Sequence, residues 1–172
     1  ALSRPMIIHE TNFRKSIDIN IIGTANVTKI CSEYNVKLIY FSTGYVYEGK
    51  IGNYKETSPI LPINEYAWSK LGGECAVKLY KNSLILRIIM CEKPFLHKSA
   101  FKDIKTNFIF HEDVAKFIPK ILNKKGILNV GGKIQSVYNF AKKYNKFIKK
   151  TSGRKVFPPN PSMNIAKLKK II

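Results

Sequence analysis

Residues 36–49 read VKLIYFSTGYVYEG, and residues 63–74 read INEYAWSKLGGE. The first stretch packs Val, Leu, Ile, Tyr and Phe into one short run and then breaks into Ser42, Thr43 and Gly44, as a buried strand opening into a loop does. In the second, Tyr66 and Lys70 stand four residues apart in a helix-forming stretch, and i and i+4 share one helix face. Working outward, a helix is predicted from about Phe13 to Tyr34, with Ile17, Ile21, Ala25, Ile30 and Cys31 at helical spacing, Asn12 as its cap and Asn35 as its end. Ser42 to Asn64 carries Gly49, Gly52, Pro59 and Pro62 and reads as a long loop. A helix from Glu65 to Tyr80 then precedes a strand at Ser83–Met90. Another helix is expected over His111–Asn123, a short strand at Gly126–Val130, and a last amphipathic helix over Val137–Lys150. Helices alternating with buried strands predict an α/β domain with a mostly parallel sheet. Its site should lie beyond the carboxyl ends of the strands, in the loops after Phe41 and Met90.

The bulk properties narrow the function. Apolar residues make up 45% of the 172, which excludes a disordered chain. The run SLILRIIM, Ser83 to Met90, is too short and too interrupted by Arg87 to cross a membrane. No basic-then-apolar leader is seen, so a non-secreted protein is expected. Cys31, Cys75 and Cys91 lie far apart without a CxxC spacing and are expected to be reduced and buried, while His9, His97 and His111 are equally scattered, which argues against a metal site. The charge is lopsided: residues 1–97 hold 12 Lys/Arg against 8 Asp/Glu, and residues 98–172 hold 18 against 3. Such a tail suits phosphates, but a lysine-rich composition in which lysine is the default exposed residue explains it too. No array of aromatics interleaves with those lysines in the pattern of a single-strand binder.

The residues that could carry chemistry are the two hydroxyls at the strand end, Ser42 and Thr43, with Tyr66 and Lys70. A free phenol titrates near ~10, too high to exchange protons readily at neutral pH. An ammonium one turn away favours the phenolate, and a hydroxyl at a strand end can hold a carbonyl oxygen beside it. Either Ser42 or Thr43 could supply that hydroxyl.

Together with NIIGTANVTKIC (20–31), GNYKETSPILPINEYAWSKLGGE (52–74), LILRI (84–88), ILNVGG (127–132) and PSMNIAKLKKI (161–171), these motifs resemble the extended short-chain dehydrogenase/reductase superfamily, in its nucleotide-sugar branch typified by dTDP-4-dehydrorhamnose reductases. The resemblance implies a partial Rossmann-type, doubly wound, mostly parallel sheet. It implies an NAD or NADP cofactor and hydride transfer to a 4-keto nucleotide sugar. Thr43 would bind the carbonyl oxygen, Tyr66 would donate the proton, and Lys70 would hold the nicotinamide ribose and lower the phenol's pKa. Tyr66, Lys70, Ala1 and Leu2 would line the cofactor. Arg87 would be structural or near the site.

Two departures accompany the likeness. No glycine-rich cofactor turn (G-x-G-x-x-G) occurs, and by this comparison Ala1 falls just past the family's fourth strand, so a fragment of a longer reductase is expected. The segment between Arg87 and His111 is short, and Gly44 replaces an acidic residue, which leaves the sugar open. Residues 1–90 are expected to complete a dinucleotide-binding domain, and residues 91–172 to form a small basic substrate-side subdomain interleaved with the sheet. A cytoplasmic enzyme with a nucleotide-sugar substrate is implied, with no membrane or nucleic-acid partner, and a homo-oligomer is compatible. The competing reading is a non-catalytic partner subunit that kept the fold.

Overall fold

The computed structural model describes residues 12–172. Its first helical stretch comprises α1 (Phe13–Ser16), a π-helical segment (Ile17–Ile22) and α2 (Gly23–Glu33). Asn12 caps it, its side chain accepting from the Lys15 amide, and Asn35 ends it with a positive φ of 51°. β1 (Leu38–Thr43) follows, then a 3-10 turn at Gly44–Val46, α3 (Glu65–Leu79) and β2 (Ser83–Ile88). Beyond them come β3 (Met90–Cys91), β4 (Ser99–Phe101), β5 (Lys105–Thr106), β6 (Ile109–Phe110) and α4 (His111–Ile121). β7 (Gly126–Val130), β8 (Gln135–Ser136), α5 (Val137–Lys142), β9 (Lys149–Thr151) and α6 (Ala166–Lys169) complete the chain.

The main sheet has the order β1-β2-β7 and is wholly parallel, Leu38 lying opposite Ser83 and Leu84 opposite Gly126. Three further strand pairs are parallel except β5 with β8, so the α/β, mostly parallel architecture read from the sequence is the one observed. The centre of the sheet explains why β2 reads as a mostly apolar run interrupted by Arg87: all six of its residues are buried. Leu84, Leu86 and Ile88 pack on one face with Val114, Phe117 and Ile121 of α4, and Ile85 meets Tyr40 and Val77 of α3 on the other. A strand covered on both faces cannot alternate apolar with polar.

A second core gathers Phe95, Ala100, Ile104, Phe110, Val137, Phe140, Ala141 and Ile148. Here the structure corrects the sequence reading. The helix expected to run to Lys150 stops at Lys142, and Phe147 is 93% exposed. Asn145 explains the stop: its side chain accepts from the Phe147 amide, a local turn that competes with helix, and the chain is redirected into β9 beside β4. The cysteines are a second correction. All three are free, but Cys31 is half-buried, Cys91 is half-buried against the edge of the second core, and Cys75 is exposed.

Candidate active site

α3 is placed by glycines. A Cβ on Gly73 would stand 2.3 Å from the Tyr40 hydroxyl and 2.6 Å from the Asn20 carbonyl, and one on Gly72 would stand 2.8 Å from Ile21. Bare backbone at Gly72 and Gly73 therefore lets the π segment and β1 approach the helix that carries Tyr66 and Lys70. Asn20, fully buried in the π segment, donates to Ser69 Oγ at 2.9 Å, and Ser69 Oγ donates to the Tyr66 carbonyl at 2.8 Å. Such π segments are often found at functional sites. A single sequence signals the tight approach through Gly72-Gly73, but the π register that turns Asn20 inward has no such mark.

At its far end α3 is tied down by charge. Glu74 and Arg87 form a buried pair, with Nη2 2.7 Å and Nε 3.1 Å from the carboxylate oxygens. Arg87 Nη1 also donates to the Tyr47 hydroxyl at 2.9 Å, and that hydroxyl donates to Asn129 Oδ1 at 2.9 Å. Arg87 thus joins α3 to β2, the loop after β1 and β7, and it makes no contact with the cleft described next.

Beyond the carboxyl ends of β1 and β2 lies a cleft of about 900 Å³. Ser42, Thr43, Tyr45 and Tyr66 line it together with Phe95, Phe101, Phe108 and Phe157, and so do His97, Lys98 and His111. The structure therefore brings Thr43 and Tyr66 to one cavity from different elements. Thr43 Oγ1 accepts from the Tyr45 amide at 3.2 Å, capping the 3-10 turn, which leaves its own proton to donate. Ser42 Oγ is buried and has no hydrogen-bond partner among the described residues. Lys70 lies one turn behind Tyr66, 2% exposed and outside the cleft lining, with Nζ 4.2 Å above the centre of the Tyr40 ring. Ala1 and Leu2, expected at the cofactor, lie outside the described residues.

Burial raises the Tyr66 phenol above its ordinary value, the direction opposite to that expected from an adjacent ammonium. Lys70, one helical turn along α3, is itself buried, and burial draws its ammonium down to about 8, with Glu74 opposing the fall. Tyr45 is pushed up to about 12 by burial and then by Tyr66, and the Cys91 thiol up to about 12 by burial and then by Glu92. At neutral pH both phenols and the thiol hold their protons, so the cleft presents donors. Among the described residues no cluster of His, Cys, Asp and Glu could hold a metal, and no helix is long and apolar enough to cross a membrane.

Residues 8–91 match the family model described as RmlD substrate binding domain. The chain is 35% identical over 81 residues to a probable low-salt glycan biosynthesis reductase of Haloferax volcanii, covering 46% of this chain and 27% of that protein. It is also 35% identical over 74 residues to methionine adenosyltransferase 2 subunit beta of Xenopus laevis, covering 43% of this chain and 22% of that one. The aligned stretches thus span about a quarter of these relatives' length. A dTDP-4-dehydrorhamnose reductase of Bacillus anthracis, solved in complex with NADP, shares the fold with a TM-score of 0.86 at 23% identity, over 99% of this chain and 70% of that one. The likeness to the nucleotide-sugar branch read from the sequence is the likeness these comparisons find.

Proposed function

We propose that this chain is the catalytic and substrate-side part of an NAD(P)-dependent nucleotide-sugar oxidoreductase that reduces a keto sugar. The observation that carries the reading is the convergence of the Thr43 hydroxyl and the Tyr66 phenol, from β1 and α3, on one cleft beyond the strand ends. The donor set fits the nicotinamide half of a dinucleotide and a ketone beside it. A Thr43 proton free to donate, a protonated Tyr66 phenol and a Ser42 hydroxyl with no partner among the described residues line the cleft, and the buried Lys70 ammonium rests on Tyr40 one helical turn along α3 from Tyr66. NAD(P)H, when bound, would supply the hydride; Tyr66 and Lys70 would hold its ribose.

The remaining work falls to this chain's own side chains. Thr43 donates to the substrate carbonyl oxygen and polarises the C=O bond. Tyr66 gives its proton to that oxygen as the carbon accepts the hydride pair, and the product leaves as an alcohol. Burial, by raising the phenol, makes Tyr66 an acid that is loaded at neutral pH and suits it to the reductive direction. Lys70 supplies positive charge behind the phenol as negative charge develops on it. Phe95, Phe101, Phe108 and Phe157 supply an apolar wall for a sugar or base face, and Lys98 with His97 and His111 offers cationic and hydrogen-bonding partners for a diphosphate. On this reading residues 1–90 complete the dinucleotide-binding domain and residues 91–172 form the substrate side. The relatives' names suggest a dTDP-linked sugar.

A second reading, a non-catalytic subunit, is favoured by the likeness to a β subunit of methionine adenosyltransferase. One experiment separates the two. The full polypeptide is mixed with NADPH or NADH and a dTDP-4-keto sugar. The first reading requires substrate-dependent oxidation of the cofactor, and its absence with every keto sugar nucleotide tried leaves the subunit reading.

A further inference from the structure

We infer that Tyr40 is the positioning residue for Lys70: its ring face carries the buried ammonium while its hydroxyl fixes the helix turn from which that ammonium springs. The inference rests on the proposed reading of the cleft and names a residue on which that reading does not depend. Three separate contacts meet at this one side chain. Lys70 Nζ stands 4.2 Å above the ring centroid. The hydroxyl donates to the Lys70 carbonyl at 3.1 Å. The same hydroxyl occupies the notch left by Gly73, where a Cβ would come within 2.3 Å of it. Tyr40 is itself 8% exposed and belongs to the core between β1, β2 and α3, so the ring cannot swing away.

The physical need is plain. An ammonium taken out of water loses hydration that must be replaced, or it gives up its proton. No salt bridge to Lys70 occurs among the described residues; the salt bridge nearest it in sequence engages Glu74, one turn on, whose carboxylate is taken up by Arg87. The negative face of an aromatic ring is the remaining partner, and a desolvated cation over such a face gains substantially. The ionisable groups around this contact are Tyr66 and Glu74 on α3, Arg87 on β2 through Glu74, and Tyr40 itself; the preceding helical segment contributes neutral Asn20 and Thr24. Glu74 acts on Lys70 through space, whereas Tyr40 sets both the ammonium's position and its surroundings.

The test follows the Lys70 ammonium directly, by NMR of protein labelled with 13Cε-lysine and assigned through Lys70→Arg, alongside the pH profile of turnover. Tyr40→Leu is expected to lower the Lys70 titration midpoint by about one pH unit, a tenfold weaker hold on the proton. The alkaline limb of turnover should move down with it. Tyr40→Phe, which keeps the ring, should leave the midpoint within a few tenths of a unit while lowering thermal stability. Pentafluorophenylalanine at position 40 keeps the ring's shape and reverses its quadrupole, so it should reproduce the leucine shift even where the leucine variant folds poorly. An unmoved midpoint with pentafluorophenylalanine, or a shift with Tyr40→Phe as large as with Tyr40→Leu, overturns the assignment. An unmoved midpoint with normal keto-sugar turnover overturns Tyr40's role and leaves the reductase reading intact. The predicted shift without turnover of any keto sugar overturns the reductase reading instead.

Discussion

Arg87→Met should be among the most damaging single changes in this chain, although Arg87 does not line the cleft. The side chain is 1% exposed and meets the Glu74 carboxylate at 2.7, 3.1 and 3.2 Å. Methionine fills similar volume and strands the carboxylate in the core. Removing one partner of a buried ion pair costs about 3–5 kcal/mol. The Tyr47 hydroxyl loses its Arg87 donor in the same change. For a domain of this size that corresponds to a fall of roughly 6–20 °C in Tm. Because the stranded carboxylate is least costly when protonated, the deficit should shrink as the pH of the denaturation is lowered. Urea unfolding of Arg87→Met, Glu74→Leu and the double variant gives a coupling energy. The two singles should each lose several kcal/mol, and the double should recover much of the loss, since a buried pair replaced by apolar groups is often neutral. Singles that each cost less than about 1 kcal/mol would refute the idea that this pair anchors α3.

Four further outcomes are expected. Thr43→Val should lower kcat by about ten- to a thousandfold with little change in cofactor affinity, read from steady-state kinetics and cofactor titration. Gly73→Ala should destabilise by about 1–3 kcal/mol, because the added methyl meets the Tyr40 hydroxyl and the Asn20 backbone carbonyl; thermal denaturation measures it. Turnover should fall above about pH 8 as the buried Lys70 loses its proton, and Lys70→Met should abolish that limb along with most activity. Stability has the opposite slope: the Lys70 value is depressed from 10.5 to about 8 on folding, so the unfolded chain binds more protons between those values, and this group makes folding more favourable as pH rises through that window.

Much of the fold was legible because its signals are local. The apolar run at 83–88 is a strand buried on both faces, the Asn12 side chain caps the first helix and Asn35 ends it, and Gly126–Val130 forms β7. The candidate site was partly legible for the same reason: helical spacing puts Tyr66 and Lys70 on one face, and Thr43 stands where a buried strand ends. What stayed hidden depends on contacts distant in sequence. The Asn20–Ser69 bond spans 49 residues and needs a π register that no residue type marks. That Lys70 rests on the Tyr40 ring follows from how closely Gly73 lets β1 approach. The phenol's upward shift follows from burial that spacing alone does not reveal. Periodicity overran the end of α5, where the Asn145 side chain competed for backbone amides against a pattern that promised helix.

The most direct test of the central claim, that the Tyr66 phenol delivers the proton to a carbonyl held by Thr43, is a single-turnover measurement on Tyr66→Phe in the full polypeptide with bound NADPH and a dTDP-4-keto sugar. The account predicts cofactor binding close to wild type and a hydride-transfer rate reduced by roughly a hundredfold or more. A variant that transfers hydride within a few-fold of the wild-type rate would contradict it.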